Sequence, residues 1–310
     1  MPEGVVSDAP LRNDLLTTAG IDAAVLAEIE SLMLAARQAA TGALVGMHRS
    51  LRRGSSSEFS EHKLYTPGDD ILHIDWHAYA KTDRYHVKQF EDETNLVLEV
   101  LVDHSGSMEF ATSGLPTKLT TARILAAALT YLALRQGDAA GRVSYADGVT
   151  DELPARATGT HWMEVLMRLV RLTPQGRTGI GRAIDRFAQQ DRRRAITVVI
   201  SDLFDPDPDL MQAFRRLSAR RHDVAVLHIM DPEEIDFPYE NPSIFASMED
   251  ERKLFIHPRT LRHAFVTEMQ RFLSDTARVM AEIGVDYHLL STRDPPAHML
   301  GTFLRSRERR

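Results

Sequence analysis

Cysteine is absent from all 310 residues. That excludes disulfides, cysteine-ligated zinc fingers, cysteine-ligated iron–sulfur clusters and thiol catalysis, and it fits a reducing compartment. Positive charge is not in excess. Lys and Arg number 37 against 44 Asp and Glu, a net charge of −7. That balance argues against general nucleic-acid binding. Long apolar runs are missing too. The most apolar stretch, Ile124 to Leu134, contains Thr130 and Tyr131 and stops at Arg135. A membrane-spanning helix needs ~20 apolar residues. The opening MPEGVVSDAPLRNDLL has no basic start followed by an apolar core, so it does not read as a secretory signal. The expectation is a cytoplasmic chain with no membrane segment. The final RSRERR reads as a short solvated end. With 43% hydrophobic and 26% charged residues, the remainder is ordinary globular composition.

Elements follow from periodicity. Ile21 to Ala40 has helical spacing at Leu26, Ile29, Leu32 and Met33, and Gly42 to Ser60 reads as a loop. Tyr65 to Asp70 reads as a turn, and Arg84 to Asp92 alternates as a half-exposed strand does. From Leu96 the pattern changes. Leu96 to Val102, Ala195 to Ile200, Asp223 to Ile229 and Val285 to Leu290 are short apolar runs, typical of strands buried on both faces. Two further strands, Arg142 to Ala146 and Val149 to Leu153, flank the turn dipeptide Asp147-Gly148. Between the strands lie helical stretches at Lys118 to Arg135, His161 to Leu172, Gly179 to Gln190, Leu210 to Arg221 and Arg259 to Ile283. Strands alternating with helices predict an α/β, doubly wound, mostly parallel sheet of order 3-2-1-4-5-6, with an N-terminal helix and β extension. The expected division is 1–92 as extension and 93–310 as the α/β domain. Met163, Met167, Met269 and Met280 read as core filling.

In that sheet order the first and fourth strands are neighbours. Their C-terminal ends form the switch point where such folds bind ligands. The first run ends in Asp103 and the fourth strand in Asp202. After Asp103 come Ser105 and Ser107, and the loop Gly176-Arg177-Thr178-Gly179 opens a helix. Two carboxylates and three hydroxyls make an all-oxygen set, which suits a hard cation: Mg2+ first, Mn2+ or Ca2+ as alternatives. The competing reading of these short polar residues is helix capping.

The set Asp103-x-Ser105-x-Ser107, Thr178 and Asp202 resembles the metal-ion-dependent adhesion site of a von Willebrand factor A (vWA) domain. An upstream segment resembles the bacterial domain-of-unknown-function fifty-eight family. It comprises Glu58-Phe59, Tyr65-x-Pro67-Gly68-Asp69-Asp70, Ile74-Asp75-Trp76, Ala80-Lys81-Thr82 and Val87-Lys88-x-Phe90-Glu91. The resemblance implies a vWA-type fold and a metal held directly by Ser105, Ser107 and Thr178. The two aspartates would then act directly or through water. It also implies a partner that donates a Glu or Asp carboxylate, with a MoxR-type AAA+ ATPase as that partner. It points to an adaptor or chaperone rather than an enzyme. The alternative is a metal-assisted, phosphatase-like hydrolase using Asp103. Against it, the second Asp expected two residues later is Ser105, and no G-x-S-x-G, P-loop or G-x-G-x-x-G follows a strand.

Overall fold

The computed structural model describes residues 23–51, 63–64, 86–87, 96–190, 194–205, 209–220 and 222–307. Of the upstream motifs between Glu58 and Glu91, all but Val87 lie outside the described residues. So do the turn at Asp69-Asp70 and Trp76.

Among described residues, 23–47 and 96–307 belong to one compact unit. In the second unit, 48–95, strand β1 (Lys63–Leu64) pairs antiparallel with β2 (His86–Val87). The large unit is built on six strands: β3 (Val97–Asp103), β4 (Ala139–Tyr145), β5 (Val149–Arg156), β6 (Ile196–Ser201), β7 (Asp223–Met230) and β10 (Asp286–Ser291). They lie in the order β5-β4-β3-β6-β7-β10. Counted along the chain within the sheet this is 3-2-1-4-5-6, as expected. Every neighbouring pair is parallel except β4 with β5, which form the hairpin about Asp147-Gly148.

Pleating sends successive side chains to opposite faces. Leu98, Val100 and Val102 enter one core while Leu101 enters the other. The first core is closed by α1 (Ala23–Leu51), α2 (Lys118–Arg135), α3 (His161–Val170) and α8 (Pro296–Arg307). The second is closed by α4 (Ile180–Gln189), α5 (Leu210–Ala219) and α7 (Pro258–Glu282). Met269 and Met280 are buried, and Met163 and Met167 pack at the margin of the first core. No described helix is long and apolar enough to cross a membrane.

Three features depart from the sequence reading. The first helix does not stop before Gly42 but continues to Leu51. Gly42 is a packing residue: a Cβ there would come within 2.9 Å of the Ala297 Cβ on α8. Small residues let two helix backbones approach, so this glycine marks a helix contact rather than a break. After β7 the chain forms a short helix, α6 (Pro232–Asp236), and then an antiparallel hairpin of β8 (Ser243–Ala246) and β9 (Lys253–Ile256). Neither this segment nor α8 was anticipated.

Candidate metal centre

β3 and β6 run side by side in register, Val102 opposite Ile200. Their ends therefore deliver Asp103 and the Ser201-Asp202 pair to the same edge. Asp103 Oδ2 accepts from Ser201 Oγ at 2.7 Å, and Oδ1 accepts from the Ser105 amide at 2.8 Å. That second bond folds the chain sharply after β3 and turns the Ser105 hydroxyl back over the strand end. The loop before α4 is tied to this turn by backbone bonds, Gly106 N to Gly176 O at 3.0 Å and Gln175 N to His104 O at 2.9 Å. The His104 ring locks the same junction, with Nδ1 2.8 Å from Thr173 O and Nε2 2.8 Å from Thr150 Oγ1.

These ties place Thr178 Oγ1 2.9 Å from Ser105 Oγ, which lies 3.1 Å from Ser107 Oγ. The Ser107 hydroxyl in turn bonds the Asp202 carboxylate. All five residues singled out in the sequence are thus brought together. The two aspartates each accept a backbone amide two residues on, Asp103 from Ser105 and Asp202 from Phe204, while the hydroxyls of Ser105 and Thr178 do not cap helices. Ser105 stands at the N-cap of a 3-10 turn (Gly106–Glu109) and makes no side-chain cap bond. At α4 the cap position is Gly179. Backbone strain accompanies the site: Leu203, buried directly after Asp202, has φ of 55°. A bulky residue persists in that region only where its surroundings over-determine it.

Asp103, Ser105 and Asp202 are fully buried, and Thr178 nearly so. Burial, reinforced by the neighbouring Asp202 charge, pushes the Asp103 carboxyl up to about 7. Asp202 behaves oppositely. Burial raises it too, but Lys118 outweighs this and holds it below the ordinary carboxylate value. The Lys118 Nζ lies 2.7 Å from Asp202 Oδ2 and 2.5 Å from Glu234 Oε1. Burial opposes its charge, yet the two carboxylates keep its pKa above the usual lysine value. Glu234 also closes a capping box with Asp231 at the start of α6. A final carboxylate arrives from the β8–β9 connection, where Glu249 Oε1 accepts from Thr178 Oγ1 at 2.8 Å.

Sequence reasoning missed Lys118, Ser201, Glu234 and Glu249. A usable signal existed for Lys118. A cation in the first turn of a helix opposes the helix dipole, and Lys118 is the first residue of α2. Such a placement calls for a nearby anion.

No three His, Cys, Asp or Glu groups form a metal cage among the described residues. The donor set is instead hydroxyl-rich, with two carboxylates. Its spacing fits a small hard ion. Donors at 2.0–2.1 Å in an octahedron stand about 2.9 Å apart along each edge. The contacts between Ser107, Ser105 and Thr178, at 3.1 and 2.9 Å, are hydrogen-bond lengths that coincide with that edge.

Strand order and crossovers together define an α/β domain with a doubly wound, mostly parallel sheet, and the loops at its carboxyl edge carry the hydroxyl-rich site. The chain belongs to the DUF58 family, whose model, "Protein of unknown function DUF58", matches residues 61–273. It is 31% identical over 278 residues to the uncharacterized protein Rv1480 of Mycobacterium tuberculosis, covering 88% of this chain and 86% of that protein. Among solved structures it resembles the conserved hypothetical protein BatB from Bacteroides thetaiotaomicron. The TM-score is 0.46 at 18% identity, over 69% of this chain and 100% of that one. The SpRpn10 VWA domain aligns with a TM-score of 0.37 at 11% identity, over 66% of this chain and 93% of that domain.

Proposed function

We propose that Asp103, Ser105, Ser107, Thr178 and Asp202 hold Mg2+, and that the chain is a Mg2+-dependent protein-interaction module. The observation that carries this reading is the run of oxygens from Ser107 through Ser105 to Thr178 at octahedral-edge spacing. The three hydroxyls contact the ion directly, and the aspartates directly or through water. Bound there, the ion supplies an electrophilic centre held largely by neutral oxygens, which attracts a carboxylate from a partner. The protein's part is to hold the hydroxyls in place, exclude water behind them and balance charge through Lys118. Attraction at a rim shielded from bulk water exceeds its value in solvent.

The family resemblance supplies the partner class, a MoxR-type AAA+ ATPase, with this chain as adaptor or chaperone. The test uses the purified pair, with affinity measured in Mg2+, in EDTA, and in Mg2+ with Thr178→Ala. Chelation and the substitution are each expected to weaken binding by ~2–4 kcal/mol, as loss of one hot spot does. Affinity unchanged across all three conditions contradicts the reading. So does turnover of an aryl phosphate that disappears in Asp103→Ala, which would favour the hydrolase.

A further inference from the structure

The tip of the β8–β9 hairpin reaches the proposed metal centre. Glu249 Oε1 lies 2.8 Å from Thr178 Oγ1, so it extends the run of oxygens by one further step of the same length. We infer that Glu249 is a ligand of the site supplied by this chain itself, and that the hairpin is a plug which a partner's carboxylate must displace. This rests on the metal reading above and adds the occupant of the coordination position facing outward.

The surroundings are built for that contact. The Met248 carbonyl presses on Gly106, in the turn between Ser105 and Ser107. A Cβ on Gly106 would overlap that carbonyl oxygen, so only glycine admits the tip. Beside Thr178, Arg177 pairs with Asp250 at 3.0 Å. Ser247 Oγ accepts the amides of Glu249 at 3.3 Å and Asp250 at 3.2 Å, which sets the tip's shape. Acidic residues at 249 and 250 thus meet a hydroxyl and a cation that flank the site.

The same hairpin is weakly held elsewhere. Its two strands pair with each other and with no other described strand. Ile244, Leu254 and Phe255 are 68%, 63% and 61% exposed. The base is anchored by Phe245 against Phe237 and Tyr239, at ring separations of 5.6 and 5.1 Å. A segment fixed at its base and tied at its tip by polar contacts can leave the site without disturbing either core. Segments of this kind come from the low-stability end of a fold.

The test is a Mn2+ titration of the full chain, wild type and Glu249→Ala, followed by water-proton relaxation. Mn2+ takes the place of Mg2+, and the relaxation of bulk water reports how many coordination positions water holds. Glu249 is half-buried on a loop outside both cores, so its replacement leaves a folded protein. The expected result is binding weakened about tenfold or more, together with a higher relaxivity per bound ion as water fills the freed position. Unchanged relaxivity in Glu249→Ala, with or without a change in affinity, overturns ligation by Glu249 and leaves the metal site standing. Failure of the wild type to bind Mn2+ overturns the metal reading and this inference with it.

Discussion

Lys118 Nζ lies 2.7 Å from Asp202 Oδ2, and neither side chain is exposed to solvent. The pair joins the first turn of α2 to the end of β6 and neutralises one of the two carboxylates at the sheet edge. Burying two charges is favourable only when they satisfy each other. Removing one partner then leaves an uncompensated charge and destabilises by about 3–5 kcal/mol. Lys118→Met, similar in volume, should lose about that much in chemical denaturation in EDTA. Because it also leaves the site more negative, Mg2+ should restore more stability to Lys118→Met than it adds to the wild type. Equal Mg2+ stabilisation of both proteins contradicts the shared use of Asp202.

The proton balance under the site gives a second expectation. His228 Nε2 lies 2.8 Å from the Asp202 carbonyl oxygen and Nδ1 lies 2.6 Å from the Tyr287 hydroxyl. Burial holds its pKa down to about 4, with Asp202 opposing. The unfolded chain, near the ordinary 6.5, gains a proton first as pH falls. His228 therefore contributes stability above about pH 6.5, and that contribution is lost towards pH 4, by roughly 3 kcal/mol in all. Asp103, pushed up to about 7, works in the opposite direction: its contribution is full at low pH and is lost as pH rises through 7. The difference between wild type and His228→Gln isolates the histidine. In EDTA that gap should narrow from pH 7 to pH 4. A gap independent of pH contradicts the buried neutral imidazole.

Gly106→Ala tests the close approach of the hairpin. The added methyl overlaps the Met248 carbonyl oxygen, and the hairpin tip is the part able to give way. Hydrogen exchange of the amides in Ser243–Ala246 and Lys253–Ile256 should speed up, while β3 and β6 keep their protection. Unchanged exchange in the hairpin shows that the tip does not rest on this turn in solution.

Much of this architecture was legible because it depends on local patterns. Apolar β-branched runs identified β3, β6 and β7, and sheet topology then placed Asp103 beside Asp202 without any knowledge of contacts. The hydroxyls Ser105 and Ser107 were readable because they follow a buried strand directly. What was missed depends on distant contacts. Glu234 meets Lys118 from 116 residues away, and Glu249 meets Thr178 from 71 residues away. No periodicity encodes either encounter. The hairpin carrying Glu249 buries no regular face, since Ile244, Leu254 and Phe255 point to solvent, so it left no alternating pattern to detect. Gly42 misled for a different reason. Its role is to admit Ala297 of α8, and a glycine needed for close packing looks like a glycine needed for a turn.

The most direct test of the metal centre is a calorimetric titration of Mg2+ into the wild type and into Ser105→Ala, with circular dichroism confirming that both are folded. Ser105 Oγ is the central oxygen of the run, 3.1 Å from Ser107 Oγ and 2.9 Å from Thr178 Oγ1. Its removal deletes a ligand without deleting a charge. The account predicts saturable one-to-one binding by the wild type and none, or binding weakened by at least about tenfold, by Ser105→Ala. Equal binding by both, or no binding by the wild type, contradicts it.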